Sequence, residues 1–249
     1  MRKAIISLIA ISAIYSPALA ASVFIGFDPS SNSYNASTGL NTVQVSTSEL
    51  GSNTPAGLTL PGSVLKDKDG NVTTITLSAS KVDGFMGSAS GTGSIFSDPA
   101  SGSTPSFLAS NNGATMKFTI SGLQAGGMYD LSIALGGGHP ATSTTGAWLQ
   151  LDTGNFLNGA SINGNTTGAT IDNSTGKIDI AVNQFTHDNK IDWSKVTADA
   201  DGNITLYSYA PSGHRIGFTS LEITQVPEPA TATLALLGLA ALIARRRRN

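Results

Sequence analysis

The 249-residue chain contains no cysteine, and charged residues make up only 12% and aromatics 6% of it. The first absence excludes disulfides, thiolate metal sites and a cysteine nucleophile. A domain without those staples holds itself by burial, which about 200 residues can supply. Catalytic signatures are missing as well. His139, His187 and His214 lie far apart in sequence and show neither H-E-x-x-H nor H-x-H spacing. No G-x-S-x-G elbow occurs, and the S-x-x-K matches at 78–81 and 174–177 lack the companion motifs of lactamase-like enzymes. The longest apolar stretches lie at the two ends of the chain.

Those ends read as addresses and are set aside before the fold is considered. Arg2 and Lys3 precede an apolar stretch, 4–15, and Ala18-Leu19-Ala20 is the small-x-small pattern cut by a signal peptidase. Residues 1–20 are therefore expected to be a signal peptide, with cleavage between Ala20 and Ala21. At the other end, 230–244 is an uncharged run of 15 residues. As a helix it would cover about 22 Å, against a hydrocarbon core of about 30 Å. Arg245, Arg246, Arg247 and Arg248 follow it and are costly to translocate. The run is accordingly expected to form a short transmembrane helix that stops transfer at the inner membrane and leaves the body, 21–226, outside the cytoplasm.

Discounting the ends also changes the charge. Six of the 14 basic residues lie in them, leaving eight against 15 acids once Glu228 is set aside, about −7 for the body. Without a basic patch to displace counterions from phosphates, nucleic acid is not an expected partner.

Pro227-Glu228-Pro229, followed by an apolar span holding Leu236-Leu237-Gly238-Leu239 and then by the arginine cluster, resembles the PEP-CTERM sorting signal of exopolysaccharide-producing Gram-negative bacteria. The resemblance covers about the last 24 residues, and its three-part order is specific. It implies that an exosortase in the inner membrane reads the tripeptide, and that the protein ends at the cell surface or in the extracellular matrix.

Within the body the apolar periodicity is that of strands, at 43–45, 72–77, 116–120, 129–135, 148–151, 178–182, 204–209 and 215–224, with Gly, Asn, Asp and Ser clusters between them. This predicts an all-β domain, a jelly-roll-like antiparallel β-sandwich. The Gly/Ser/Pro-rich segment 84–113 is expected to be a long loop or edge insertion, and 155–176 to be irregular. The stretch 116–131, the run Ala198-Asp199-Ala200-Asp201-Gly202-Asn203-Ile204 and the closing stretch 216–223 are similar to the galactose-binding-like jelly-roll domains of many PEP-CTERM proteins. That resemblance implies a sandwich of a kind that includes sugar binders, and 23–27 as its opening strand.

Asp152-Thr153-Gly154 after an apolar strand matches the aspartic-protease arrangement, but Asn155 stands where Ser or Ala is usual, and a strand end is the simpler reading. Asp67-Lys68-Asp69-Gly70-Asn71 and Asp199-Ala200-Asp201-Gly202-Asn203 share the opening of an EF-hand loop. The sixth and twelfth positions, however, hold Val72 with Ser78 and Ile204 with Ala210 instead of Gly and a carboxylate. Asp-Gly turns leading into strands are expected there, with a calcium site completed by a distant carboxylate as the alternative; no other metal or cofactor is expected. Trp148, Trp193, Tyr207 and Tyr209 are the candidate ligand-binding residues, because rings offer flat apolar faces to pyranose C–H groups. The body is thus expected to be a non-enzymatic structural or carbohydrate-binding module associated with exopolysaccharide. The alternative is a hydrolase of matrix polymers using Asp152 or other carboxylates, although the sequence singles out no pair for that work.

Overall fold

The structure is a computed structural model that describes residues 21–28, 32–44, 58–59, 64–90, 106–136, 147–152, 160–163, 170–172, 174, 177–180, 190–210 and 215–227. Fourteen strands run in chain order: β1 (Ser22–Asp28), β2 (Ser33–Asn35), β3 (Leu40–Gln44), β4 (Leu58–Thr59), β5 (Thr76–Ser90), β6 (Ser106–Ser121), β7 (Met128–Gly136), β8 (Ala147–Leu151), β9 (Ala160–Asn163), β10 (Thr170–Asp172), β11 (Lys177–Ile180), β12 (Lys190–Thr197), β13 (Ile204–Ala210) and β14 (Arg215–Gln225). They form two layers. One is ordered β4-β5-β6-β13-β8-β11-β10 and the other β9-β12-β7-β14-β1-β3-β2, and the two join where the first residues of β14 pair with β6.

The period-2 alternation read from the sequence drives this packing. Ile25, Phe27, Phe118, Ile120, Leu131, Ile133, Leu149, Ile178, Leu206 and Ile223 all turn inward and are buried. Phe27 of one layer meets Phe118 of the other edge-to-face, with ring centroids 6.4 Å apart. Asn41 is one of the buried polar residues. Its amide donates to the carbonyls of Phe24 and Lys66 at 3.0 and 2.8 Å and accepts from the Lys66 N–H at 2.8 Å, tying β1 to the segment beside it. A buried polar group is tolerated here because its bonds are made.

The all-β, jelly-roll-like sandwich is what the alternation predicted, but several expectations need correction. Among the described residues there is no helix, and none long and apolar enough to cross a membrane. The expected transmembrane helix at 230–244 falls outside the described residues. Its weakness is length, since 15 residues fall short of the ~20 a span needs; the expectation is withdrawn.

The sandwich is also not wholly antiparallel. β1 and β3 pair in parallel, Phe24 opposite Leu40 through Asp28 opposite Gln44, because β3 inserts between β1 and the edge strand β2. The strand expected at 72–77 begins only at Thr76; Val72 makes an isolated bridge to Lys66 and is exposed. Of the segment 84–113, read as a loop, residues 84–90 and 106–113 instead supply the far arms of β5 and β6, paired from Phe85 opposite Asn111 to Ser90 opposite Ser106, while 91–105 lie outside the described residues. Within 155–176, β9 and β10 are ordered strands.

Candidate functional site

Strand order places the aromatic candidates. β13, β8 and β11 are neighbours, with Tyr209 opposite Trp148 opposite Asp179, and Tyr207 opposite Gln150 opposite Lys177. Alternation then sends Leu149, Leu151, Leu206 and Ile178 into the core and leaves these six side chains half-buried on the outer face. Trp148 and Tyr209 stack across the strands, with centroids 5.7 Å apart and planes inclined by 22°. Such a pair is worth about 1 kcal/mol beyond the area it covers. The Lys177 ammonium lies 5.8 Å from the Trp148 ring and pairs with Asp179 at 2.9 Å. The result is an apolar ridge bordered by an amide, a carboxylate and an ammonium group, which can offer stacking and hydrogen bonds together.

Trp193 does not join this group. It lies on β12, opposite Leu131 of β7 and Ala160 of β9, and is fully buried. Its indole N–H has no partner among the described residues. The ring is therefore core, and its candidacy as a ligand-binding residue is corrected. Gln150, Lys177 and Asp179 are the reverse case, residues of the face that sequence reasoning passed over. Each stands two positions from another outward residue, so their side was legible, but their neighbours depended on strand order.

Of the carboxylates considered for catalysis, Asp152 is exposed at the end of β8, where its N–H donates to the Thr205 carbonyl at 2.9 Å. Thr153 and Gly154 lie outside the described residues, as do all three histidines. Asp172 accepts from the N–H and hydroxyl of Ser174 at 2.9 and 2.6 Å, closing its own turn.

The two D-x-D-G-N segments fold into the same closed turn. In the first, Asp67 Oδ1 accepts from the N–H groups of Asp69 and Asn71 at 2.9 and 2.8 Å, while Oδ2 accepts from the Asn71 amide at 2.8 Å. In the second, Asp199 Oδ1 accepts from Asp201 and Asn203 at 2.9 and 2.7 Å, and Oδ2 from the Asn203 amide at 3.4 Å. A cation here would have to displace N–H donors aimed at the same oxygens, so the calcium reading does not fit these residues. Among the described residues no group of three or more His, Asp or Glu is placed to hold a metal.

Burial pushes the Asp67 carboxyl up, but the Asn71 amide, the N–H groups of Asn71 and Asp69 and the Lys68 charge outweigh it and hold the carboxyl below its ordinary range. The Asn203 N–H is the largest influence on Asp199, which is held low in the same way. Depressed carboxyl pKa values contribute stability above about pH 4 that is lost as pH falls through the folded-state values. Asp67→Asn turns one amide toward another and removes the charge, and should cost about 2 kcal/mol at pH 7. Urea midpoints measured from pH 7 to pH 2 should fall more steeply for the native chain than for the variant.

Both turns cluster at one pole of the sandwich with the loop between β6 and β7. Leu123 N–H donates to the Gly202 carbonyl at 3.0 Å, Ala198 N–H to Gly127 at 2.9 Å, and the Thr74 hydroxyl to Gly122 at 2.6 Å. Gln124 N–H donates to the Tyr129 hydroxyl at 2.8 Å, and burial pushes the Tyr129 pKa up. The chain leaves the sheet at this pole, where Val226 N–H donates to the Met128 carbonyl at 2.8 Å. Tyr209 stands five residues along β13 from Ile204 at the pole, about 17 Å away. The aromatic ridge is thus remote from the exit.

Pro227 is described and exposed; Glu228, Pro229 and Arg245 to Arg248 lie outside the described residues. The model of the PEP-CTERM protein-sorting motif matches residues 225–248. The chain therefore carries that motif, which implies processing by an exosortase. No curated protein matches the chain. Among solved structures, TmCBM61 in complex with β-1,4-galactotriose is similar at 8% identity and a TM-score of 0.34, over 61% of this chain and 88% of the other. The enzymatically active domain of bacteriophage CBA120 tailspike protein 4 is similar at 14% identity and a TM-score of 0.31, over 60% of this chain and 19% of that one. Likenesses this distant carry no function across.

Proposed function

We propose that this chain is an exported protein, processed through its PEP-CTERM motif, whose sandwich binds carbohydrate without catalysis at the cell surface or in an exopolysaccharide matrix. The observation that carries the reading is the Trp148–Tyr209 stack, held outward on a face that also presents Tyr207, Gln150 and Asp179. Two large rings kept half in water cost burial energy that an inward position would have gained. A ligand that covers them recovers it, and a pyranose chain suits both the rings and the hydrogen-bonding groups beside them. The carboxylates of the face are engaged, Asp179 with Lys177 and Asp172 with Ser174, which supports binding rather than acid–base work. A pull-down of the exported protein on exopolysaccharide tests this. Retention with no release of reducing ends is expected, whereas release that Asp152→Asn abolishes would replace the proposal with a hydrolase.

A further inference from the structure

The sorting motif does not begin in a linker. Its match starts at Gln225, the last residue of β14. The Gln225 N–H donates to the Ala21 carbonyl at 3.1 Å, and its side-chain amide donates to Gln124 Oε1 at 3.0 Å. On the other flank Val226 N–H donates to the Met128 carbonyl at 2.8 Å. One residue earlier, the hydroxyls of Thr224 and Ser22 meet at 2.9 Å. The first two residues of the motif are thus part of the folded body, held by the start of β1 on one side and the start of β7 on the other. Pro227 follows at once and offers no N–H.

The tripeptide follows Val226 directly in the sequence, with no spacer between them. An enzyme that takes an extended segment pairs with its main-chain N–H and C=O groups, in the manner of strand addition. On the N-terminal side of the tripeptide the N–H groups of Gln225 and Val226 are already committed to Ala21 and Met128.

We propose that the folded sandwich withholds the N-terminal flank of its own sorting motif, so that processing at the motif competes with closure of the β1–β14–β7 edge. The proposal rests on the sorting reading given above. It makes processing a step favoured before the edge closes, or when the edge frays.

The test uses the full chain, expressed in a bacterium that exports PEP-CTERM proteins and followed by pulse-chase and intact mass. Inserting six Gly/Ser residues between Val226 and Pro227 frees the tripeptide from the body and should raise the processing rate several-fold. Ser22→Cys with Thr224→Cys locks the edge while leaving 225–248 unchanged. Those positions are directly opposed, at a separation a disulfide spans, and the chain has no other cysteine to compete. The oxidised pair should be processed several-fold more slowly, and reductant should restore the native rate. Native rates in both the insertion and the oxidised pair would overturn the proposal and leave the sorting reading standing. A mass ending at Asn249 in every version would overturn both.

Discussion

Trp193→Ala will lower the stability of the sandwich by about 4 kcal/mol, the range for removing a large aromatic from a closed core. For a body of this size that corresponds to a fall in melting temperature on the order of 10 °C. The reason is position. Trp193 is fully buried between strands on either side, opposite Leu131 and Ala160, and is the largest of the fully buried side chains among the described residues, so its removal opens a large cavity. Trp193→Phe should cost far less, because the indole N–H it removes has no partner among the described residues and is itself a burden. Thermal melts of the two variants separate these outcomes; similar losses would mean that volume is not what Trp193 contributes.

Gly122→Ala is expected to be nearly as damaging. Gly122 has φ +79°, and a Cβ there would stand 2.0 Å from the Thr74 carbonyl oxygen. Left-handed backbone costs about 1–2 kcal/mol for a residue with a side chain, and displacing a main-chain carbonyl adds about as much again. The expected loss is roughly 3 kcal/mol. Gly126 is the built-in comparison, since it has φ +71° but nothing within 4 Å of its Cβ position. Gly126→Ala should show only the backbone part, about 1–2 kcal/mol. Urea unfolding that ranks the two alike would mean that the close approach of Thr74 to Gly122 adds nothing to the cost.

These positions also show what the sequence could and could not reveal. Strict alternation made 148–151 and 204–209 readable as strands, and with it which side each residue faces. β12 escaped because its inward residues, Ile191, Trp193 and Val196, are spaced by two and then by three. A bulge absorbs the extra residue, with Lys195 at φ 55° and its N–H donated to Asp130 Oδ1 at 2.9 Å. A reading tuned to period two finds nothing there, so Trp193 could not be assigned to the core. The far arms of β5 and β6 escaped for a different reason: Phe85-Met86 and Phe107-Leu108 are adjacent apolar pairs among Gly, Ser, Ala and Asn, which show no alternation, and the arms emerge as strands only through their pairing.

The aromatic identities of the candidate face were legible, but its assembly was not. Trp148 comes near Tyr209 only because β8 lies beside β13 and β11, strands separated from it in sequence and ordered by the whole topology. The paired D-x-D-G-N turns illustrate the opposite. Their Asp-Gly turns were legible from local chemistry, because an Asp that bonds to N–H groups two and four residues on needs nothing distant to close. The motif at 225–248 was readable for the same reason, being a contiguous string, yet its attachment to β14 required the fold.

In the proposed function the outward stack of Trp148 and Tyr209, and not the buried indole of Trp193, meets the ligand. Affinity electrophoresis in gels containing exopolysaccharide tests it most directly, comparing the native protein with Trp148→Ala and Trp193→Phe. Loss of a central aromatic contact is worth about 2 kcal/mol, roughly a 30-fold weaker retardation constant for Trp148→Ala, with Trp193→Phe migrating like the native chain. Equal retardation of the native protein and Trp148→Ala would contradict the account.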